Sequence, residues 1–355
     1  MAGLGAAGTL LLAAGALCLG SGCSDLGYYR QSVGGHLDLM SRAKPVDDWL
    51  AQDDVSPALK QRLQLAKQMR EFSVQVLKLP DNPSYRAYAD LQRPAAVWNV
   101  VAAPALSLQL KTWCYPVTGC VGYRGYFDRA EADALAARLR DQGDDVTVYG
   151  VPAYSTLGWS NWIGGDPLLN TFVNGSEGEL ARLIFHELAH QKLYVADDTL
   201  FNESFASAVE RIGTRLWLQQ HASEAVREQY AQGQQRRQEF RALTARAREQ
   251  LEAVYASDRS DEAKRMAKAA VLAQLRSDHA QIKQQRWGGF AGYDSWFAQA
   301  NNASLGVLAA YTELVGDFER LFVQQGSDFE RFYARVGEIA ALPKAQRHAT
   351  LRAVP

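Results

Sequence analysis

Hydrophobic positions in the first part of the chain recur at helical spacing. Between Leu39 and Leu79, the residues Leu59, Leu63, Ala66, Met69 and Val76 fall near a 3.6-residue period, and Ser56 stands before Pro57 at a helix start. An N-terminal helical layer is expected there. Past Pro80-Asp81-Asn82-Pro83 the texture turns β-branched and aromatic, so Val97 to Leu110 and Thr112 to Phe127 read as strands or extended chain. Asp128 with Glu131 has the form of a capping box and opens a helix through about Gln142. Val146 to Tyr149 then alternates as a strand should. Tyr154 to Asn174 reads as an irregular, aromatic-rich loop.

A second capping box, Ser176 with Glu179, precedes Leu180, Leu183, Ile184 and Leu188 on one helical face. A further helix is expected from about Thr199 to Gln219, with Phe205, Val209, Ile212 and Leu216 as its buried stripe. From Gln220 to Arg286, Phe240, Leu243, Ala247, Leu251 and Val254 keep coiled-coil-like spacing within a Gln-, Arg- and Glu-rich stretch, which predicts two long helices broken near Ser257 to Asp261. Trp287-Gly288-Gly289 ends that hairpin, and two closing helices follow, about Tyr293 to Asn301 and Ser304 to Gln325. The expected fold class is α+β, predominantly α, with a small sheet, a long helical hairpin and flanking helices.

Composition narrows the function classes. The 355 residues carry 38 Lys and Arg against 39 Asp and Glu, a net charge of -1, so there is no global basic field and no nucleic-acid partner is expected. Residues 1–22 hold no charged side chain, and Thr9 to Leu19 is an apolar stretch of secretory length. It ends in Leu19-Gly20-Ser21-Gly22-Cys23, which resembles the lipobox of bacterial lipoproteins. That resemblance implies a removed signal peptide over 1–22, a lipid on Cys23 and a periplasm-facing protein anchored in the cell envelope. Ser24 after Cys23 resembles the outer-membrane sorting pattern; an uncleaved anchor helix is the alternative. With Cys18 in the signal and Cys23 lipidated, Cys114 and Cys120 remain, and an oxidising compartment favours a short-loop disulfide over a redox or metal pair.

The chemistry-bearing run is His186-Glu187-Leu188-Ala189-His190, a His-Glu-x-x-His motif within the expected helix. Residues four apart share a helix face, so both imidazoles can converge on one Zn2+ while Glu187 reaches the water beside it as general base. The metzincin continuation is excluded, since Leu193 and Ala196 stand where Gly and His belong. Phe201-Asn202-Glu203-Ser204-Phe205-Ala206 instead has the Asn-Glu-x-x-Ala form of a gluzincin third ligand, with twelve residues between His190 and Glu203, which requires a tight return between the helices. Glu203 is the expected ligand. Asp197 and Asp198 are its rivals, although both also stand where N-cap residues belong, and Glu210 is a weaker one. The aspartate that supports the site in thermolysin-like enzymes, four residues after the glutamate, is replaced by Ser207.

Beyond this motif the chain resembles a bacterial family of predicted zinc aminopeptidases, lipoprotein-like and related to the gluzincins. The likeness covers Leu26-Gly27-Tyr28-Tyr29, Gly34-Gly35-His36-Leu37, Trp113-Cys114 to Cys120, Gly122 to Phe127, Tyr154 to Trp159, Asp166-Pro167-Leu168-Leu169, the zinc motif, Phe201-Asn202-Glu203 and Asn301-Asn302-Ala303 with Tyr311. No Gly-x-Met-Glu-Asn run, the amine-binding motif of the large gluzincin aminopeptidases, is present. The resemblance implies a gluzincin-like zinc peptidase core, a peptide substrate and a tyrosine or histidine downstream of Glu203 that donates to the developing oxyanion. Of Tyr230, Tyr255, His279, Tyr293, Tyr311 and Tyr333, the choice falls on Tyr311. The chain then divides into a signal at 1–22, an N-terminal helical layer with the first extended segment at 23–112, the sheet and zinc-binding helices at 113–218, the hairpin at 219–290 and C-terminal helices at 291–355. Two other functions fit the same residues, an envelope scaffold with a structural or inactive zinc site and a zinc amidase acting on cell-wall material.

Overall fold

The computed structural model describes residues 23–115, 119–153, 164–196, 198–309 and 314–354. Helix α1 (Cys23–Ser41) begins well before the expected Leu39, and β1 (Lys44–Pro45) and α2 (Val46–Ala51) lead into α3 (Pro57–Gln75). The Ser56 hydroxyl accepts the Leu59 N–H at 3.3 Å, and Leu63, Ala66, Met69 and Phe72 form the buried stripe of α3. Strand β2 (Ala87–Ala89) pairs antiparallel with β1 and parallel with β8 (Leu168–Leu169), in the register Tyr88 opposite Leu168.

A second sheet has the order β6-β3-β7, all antiparallel, with β3 (Val97–Pro104) between β6 (Arg124–Tyr126) and β7 (Asp144–Val151). The near-continuous apolar run of β3 is explained by burial on both faces. Val100 and Ala102 pack on Ala132, Ala136 and Leu139 of α4 (Arg129–Asp141), while Val101 and Ala103 face Ala303 on the other side. Asp128 caps α4, accepting the N–H groups of Ala130 and Glu131. The remaining extended residues form the hairpin β4 (Trp113–Tyr115) and β5 (Gly119–Val121).

Helices α5 (Glu177–Lys192) and α6 (Thr199–His221) lie antiparallel in the largest core, which also takes Leu39, Leu63, Tyr85, Leu168, Phe332 and Leu351 from both ends of the chain. Gly213 on α6 allows this closeness, since a Cβ there would stand 2.6 Å from Leu77 and 3.1 Å from Phe185. Ser176 stands at the N-cap position of α5 as expected, but its side chain makes no capping bond. Glu179, its supposed partner, is drawn away by Arg237, 2.6 Å distant, and by Arg182. The hairpin consists of α7 (Glu224–Ala256) and α8 (Asp261–Gln285), with Phe240, Leu243, Ala247 and Leu251 packed on Leu272 and Leu275. Its root rests on α5 at Gly178, where a Cβ would meet the Tyr230 ring at 2.3 Å.

The closing segment differs from expectation. Helix α9 (Asp294–Ala298) is shorter, and the single helix expected over Ser304 to Gln325 is two, α10 (Asn302–Ala309) and α11 (Val315–Gln324). Two more follow, α12 (Phe329–Ala340) and α13 (Lys344–Arg352). Among the described residues no helix is long and apolar enough to cross a membrane.

Candidate metal centre

The facing sides of α5 and α6 carry a ladder of complementary groups. On α5, Arg182, His186 and His190 repeat every four residues; on α6, Glu203 and Glu210 are seven apart, so each set lies along one side of its helix. Because the helices are antiparallel, Arg182 meets Glu210, His186 meets both glutamates and His190 meets Glu203. The measured rungs are Arg182 Nε to Glu210 Oε1 at 2.7 Å, His186 Nδ1 to Glu210 Oε2 at 2.8 Å, His186 Nε2 to Glu203 Oε2 at 3.4 Å and His190 Nε2 to Glu203 Oε1 at 3.6 Å.

The connection between the helices is the tight return that the motif spacing requires, and Asn202 explains how it is held. Its side chain accepts the Val195 N–H at 2.8 Å and donates to the Val195 carbonyl at 2.7 Å, closing the loop one residue before Glu203. Asp198, a rival ligand by sequence, points elsewhere. It accepts the Phe201 N–H as N-cap of α6 and is paired with Arg347 and His348 of α13. Asp197 lies outside the described residues. Glu210, the weaker rival, stands behind His186 rather than beside its Nε2.

The donor geometry is compatible with a metal ion. The two Nε2 atoms are 3.2 Å apart, and one ligand atom from each of His186, His190 and Glu203 lies within 4.8 Å of the others. With Glu210 accepting at Nδ1, a neutral His186 would present its lone pair at Nε2 toward the second imidazole, where a cation could sit between them. Zinc–ligand bonds of about 2.0 to 2.1 Å at tetrahedral angles place ligand atoms roughly 3.3 Å apart, close to the observed separations. The Nδ1 of His190 is buried without a hydrogen-bond partner.

Electrostatics agree. Burial disfavours charge on His186, but Glu203 and Glu210 outweigh it and raise the imidazole to about 10. Burial would raise the Glu203 carboxyl, yet the two histidines hold it well below its ordinary range. Glu210 is likewise lowered against its burial, by Arg182 and then His186. Tyr123 keeps 37% of its surface exposed, and burial of its hydroxyl, with the charges of Tyr149, Glu203 and Tyr194 adding to it, pushes it up to about 12.

Other expected site residues sit apart from this ladder. Cys114 and Cys120 are opposite one another in the β4–β5 hairpin and form a disulfide. Tyr311 lies outside the described residues, as do residues 154–163 of the Tyr154 to Asn174 loop, and nothing is described of the Cys23 side chain. Tyr333 is buried and donates to the Leu77 carbonyl at 2.8 Å. Tyr255 donates to Asn302 at 2.7 Å, Tyr230 is bonded to Gln234, and Tyr293 and His279 stack on Phe240 and Phe297. Sequence reasoning missed the bond between Glu210 and His186. Its signal was present, since a carboxylate two turns after Glu203 must share its face.

The two histidines of the first helix and the glutamate of the second form a group that could hold a metal ion. A family model described as "Putative aminopeptidase" matches residues 27–351, and the chain belongs to that family. No curated protein and no solved structure matches it.

Proposed function

We propose that the protein is a zinc-dependent peptidase of gluzincin type, an aminopeptidase acting on peptides in the bacterial envelope, held to a membrane by lipid on Cys23. The observation that carries this reading is the convergence of His186, His190 and Glu203 within 4.8 Å, with Glu187 on the same helix as the two imidazoles. A structural metal site has no need of a glutamate beside its first ligand, which counts against a scaffold role.

His186, His190 and Glu203 would hold the ion, which when bound supplies Lewis-acid polarisation of the scissile carbonyl and acidifies water. The chain's own residues do the rest. The Glu187 carboxylate takes a proton from the attacking water and passes it to the nitrogen of the leaving amine. Glu210 fixes the ring angle and tautomer of His186 through Nδ1, and Arg182 fixes Glu210. Asn202 holds the α5–α6 loop so that Glu203 arrives at the right height.

The test is purified full-length protein loaded with zinc and offered aminoacyl-anilides and short peptides, with metal counted on the same sample. One zinc per chain, cleavage, and loss of turnover by about 10² or more in Glu187→Gln at unchanged zinc content are expected. Cleavage that survives Glu187→Gln would sink the assignment.

A further inference from the structure

Tyr85 combines three features that a residue kept only for packing does not need. Its backbone lies in the left-handed region at φ 62°, which is rare for a bulky side chain. Its ring is 1% exposed, so it belongs to the main core. Its hydroxyl is nonetheless buried without a hydrogen-bond partner, although buried phenols almost always find one.

The surroundings force this conformation and hold the turn against α5. The buried guanidinium of Arg70 donates to the carbonyls of Pro80, Asn82 and Ser84 and curls that turn tightly. The Tyr85 N–H donates to the Asp166 carbonyl at 2.6 Å, and the Asp166 N–H donates to the Ser84 hydroxyl at 3.1 Å. The two strands of chain approach so closely that Gly165, at φ 71°, has room for no Cβ, since one would lie 2.4 Å from the Ser84 nitrogen. The whole turn is then tied to α5 through Gln191, which donates to the Ser84 hydroxyl at 3.1 Å and accepts from Asn82 at 2.7 Å. Gln191 is one helical turn beyond Glu187 and on its face. The phenol accordingly feels Glu187: burial raises its pKa well above the ordinary value, with the Glu187 and Asp166 charges adding to that and Arg70 opposing.

We infer that Tyr85 is a positioning residue for Glu187, its buried hydroxyl kept free of protein partners so that it donates to the Glu187 carboxylate when substrate occupies the centre. The inference rests on the peptidase reading above. A strained backbone and an unmet buried hydroxyl both reduce stability, and such costs persist where the surrounding structure enforces them for function.

Tyr85→Phe removes only the hydroxyl and keeps the ring in the core. The variant should hold its zinc and show a Tm unchanged or about 1 to 3 °C higher, because an unsatisfied buried group is gone. Its kcat on an aminoacyl-anilide should fall about 10- to 100-fold with KM little changed. Adding Tyr85→Phe to Glu187→Gln should bring no further loss, as expected of residues acting as one unit. A second readout needs no turnover: affinity for an amino-acid hydroxamate, which chelates zinc and shares its proton with the general base, should weaken in Tyr85→Phe as in Glu187→Gln. Undiminished kcat and hydroxamate affinity would overturn the inference, and so would a lowered Tm, which would reveal a structural partner for the hydroxyl. If the wild type cleaves nothing while both variants still weaken the hydroxamate, the peptidase reading fails and the Tyr85–Glu187 pairing stands.

Discussion

Glu210 holds His186 from behind: its Oε2 lies 2.8 Å from the imidazole Nδ1, while its other oxygen is 2.7 Å from Arg182 Nε. The sequence puts Ser207 where the resemblance implies a supporting carboxylate, and Glu210, one turn further along the same helix, stands behind His186 instead. Glu210→Gln keeps the volume and removes the charge. It should lower zinc affinity about 10- to 100-fold, as loss of a carboxylate behind a metal-bound imidazole generally does. Titration against a chromogenic chelator measures this, and an unchanged affinity would mean that Glu210 serves only to neutralise Arg182.

Asp198 gives a stability prediction tied to the same centre. It caps the helix that carries Glu203 and is paired, buried, with Arg347 and His348 of the last helix, so that helix braces the start of α6. Arg347→Ala should cost about 3 kcal/mol, because it strips a buried carboxylate of its main partner. Burial would raise the Asp198 carboxyl, but Arg347 and His348 depress it below its ordinary value. A depressed carboxyl stabilises the fold above its unfolded pKa, and that contribution is lost as pH falls through the folded value. Thermal melts of the wild type and Asp198→Asn between about pH 2 and 6 should therefore converge toward the acid end. A gap that widens on acidification contradicts this pairing.

What the sequence could and could not reveal follows from the range of each interaction. The α5–α6 pair was legible because both its hydrophobic stripes and its ligand spacing are periodic within one helix each, and the hairpin's break at Ser257 to Asp261 is a local signal. Ser176 marks the start of α5 as read, but its capping box does not form, because such a box is only a local option and Arg237, distant in sequence, takes Glu179 from it. Phe329, Phe332, Tyr333, Val336 and Ile339 carry a helical stripe as clear as any in the chain, so α12 was there to be read. Tyr85 was not: neither its strain nor its unmet hydroxyl exists until residues 80–85, 164–166 and 191 meet.

The β4–β5 hairpin is too short to hold itself, and its disulfide staples it beside Tyr28, whose ring stacks on Tyr115 at 5.6 Å and lies under Arg124 at 4.1 Å. Closing a loop of five intervening residues removes little chain entropy, so Cys114→Ser with Cys120→Ser should lower stability by about 2 to 3 kcal/mol at most. Denaturant titration of the double variant checks the figure. Mass mapping without reductant should show no free thiol at either position in protein made in an oxidising compartment.

Metal uptake itself should release a proton. In the metal-free protein, burial opposes charge on His186 but Glu203 and Glu210 raise its pKa to about 10, so the imidazole is protonated at neutral pH. A histidine raised above its unfolded value of about 6.5 contributes stability that is full below that value and lost as pH rises through the folded one. A metal ion requires the neutral ring, so zinc must displace this proton and bind more tightly as pH rises. Calorimetry at pH 7 to 8 in buffers of different ionisation enthalpy should give about one proton released per zinc from this residue, and apparent affinity should rise about tenfold per pH unit until His186 is neutral. In Glu210→Gln the imidazole loses one of the two carboxylates that raise it, so its pKa should drop and proton release at pH 8 should shrink. Equal release in both proteins would show that Glu210 does not set the charge of His186.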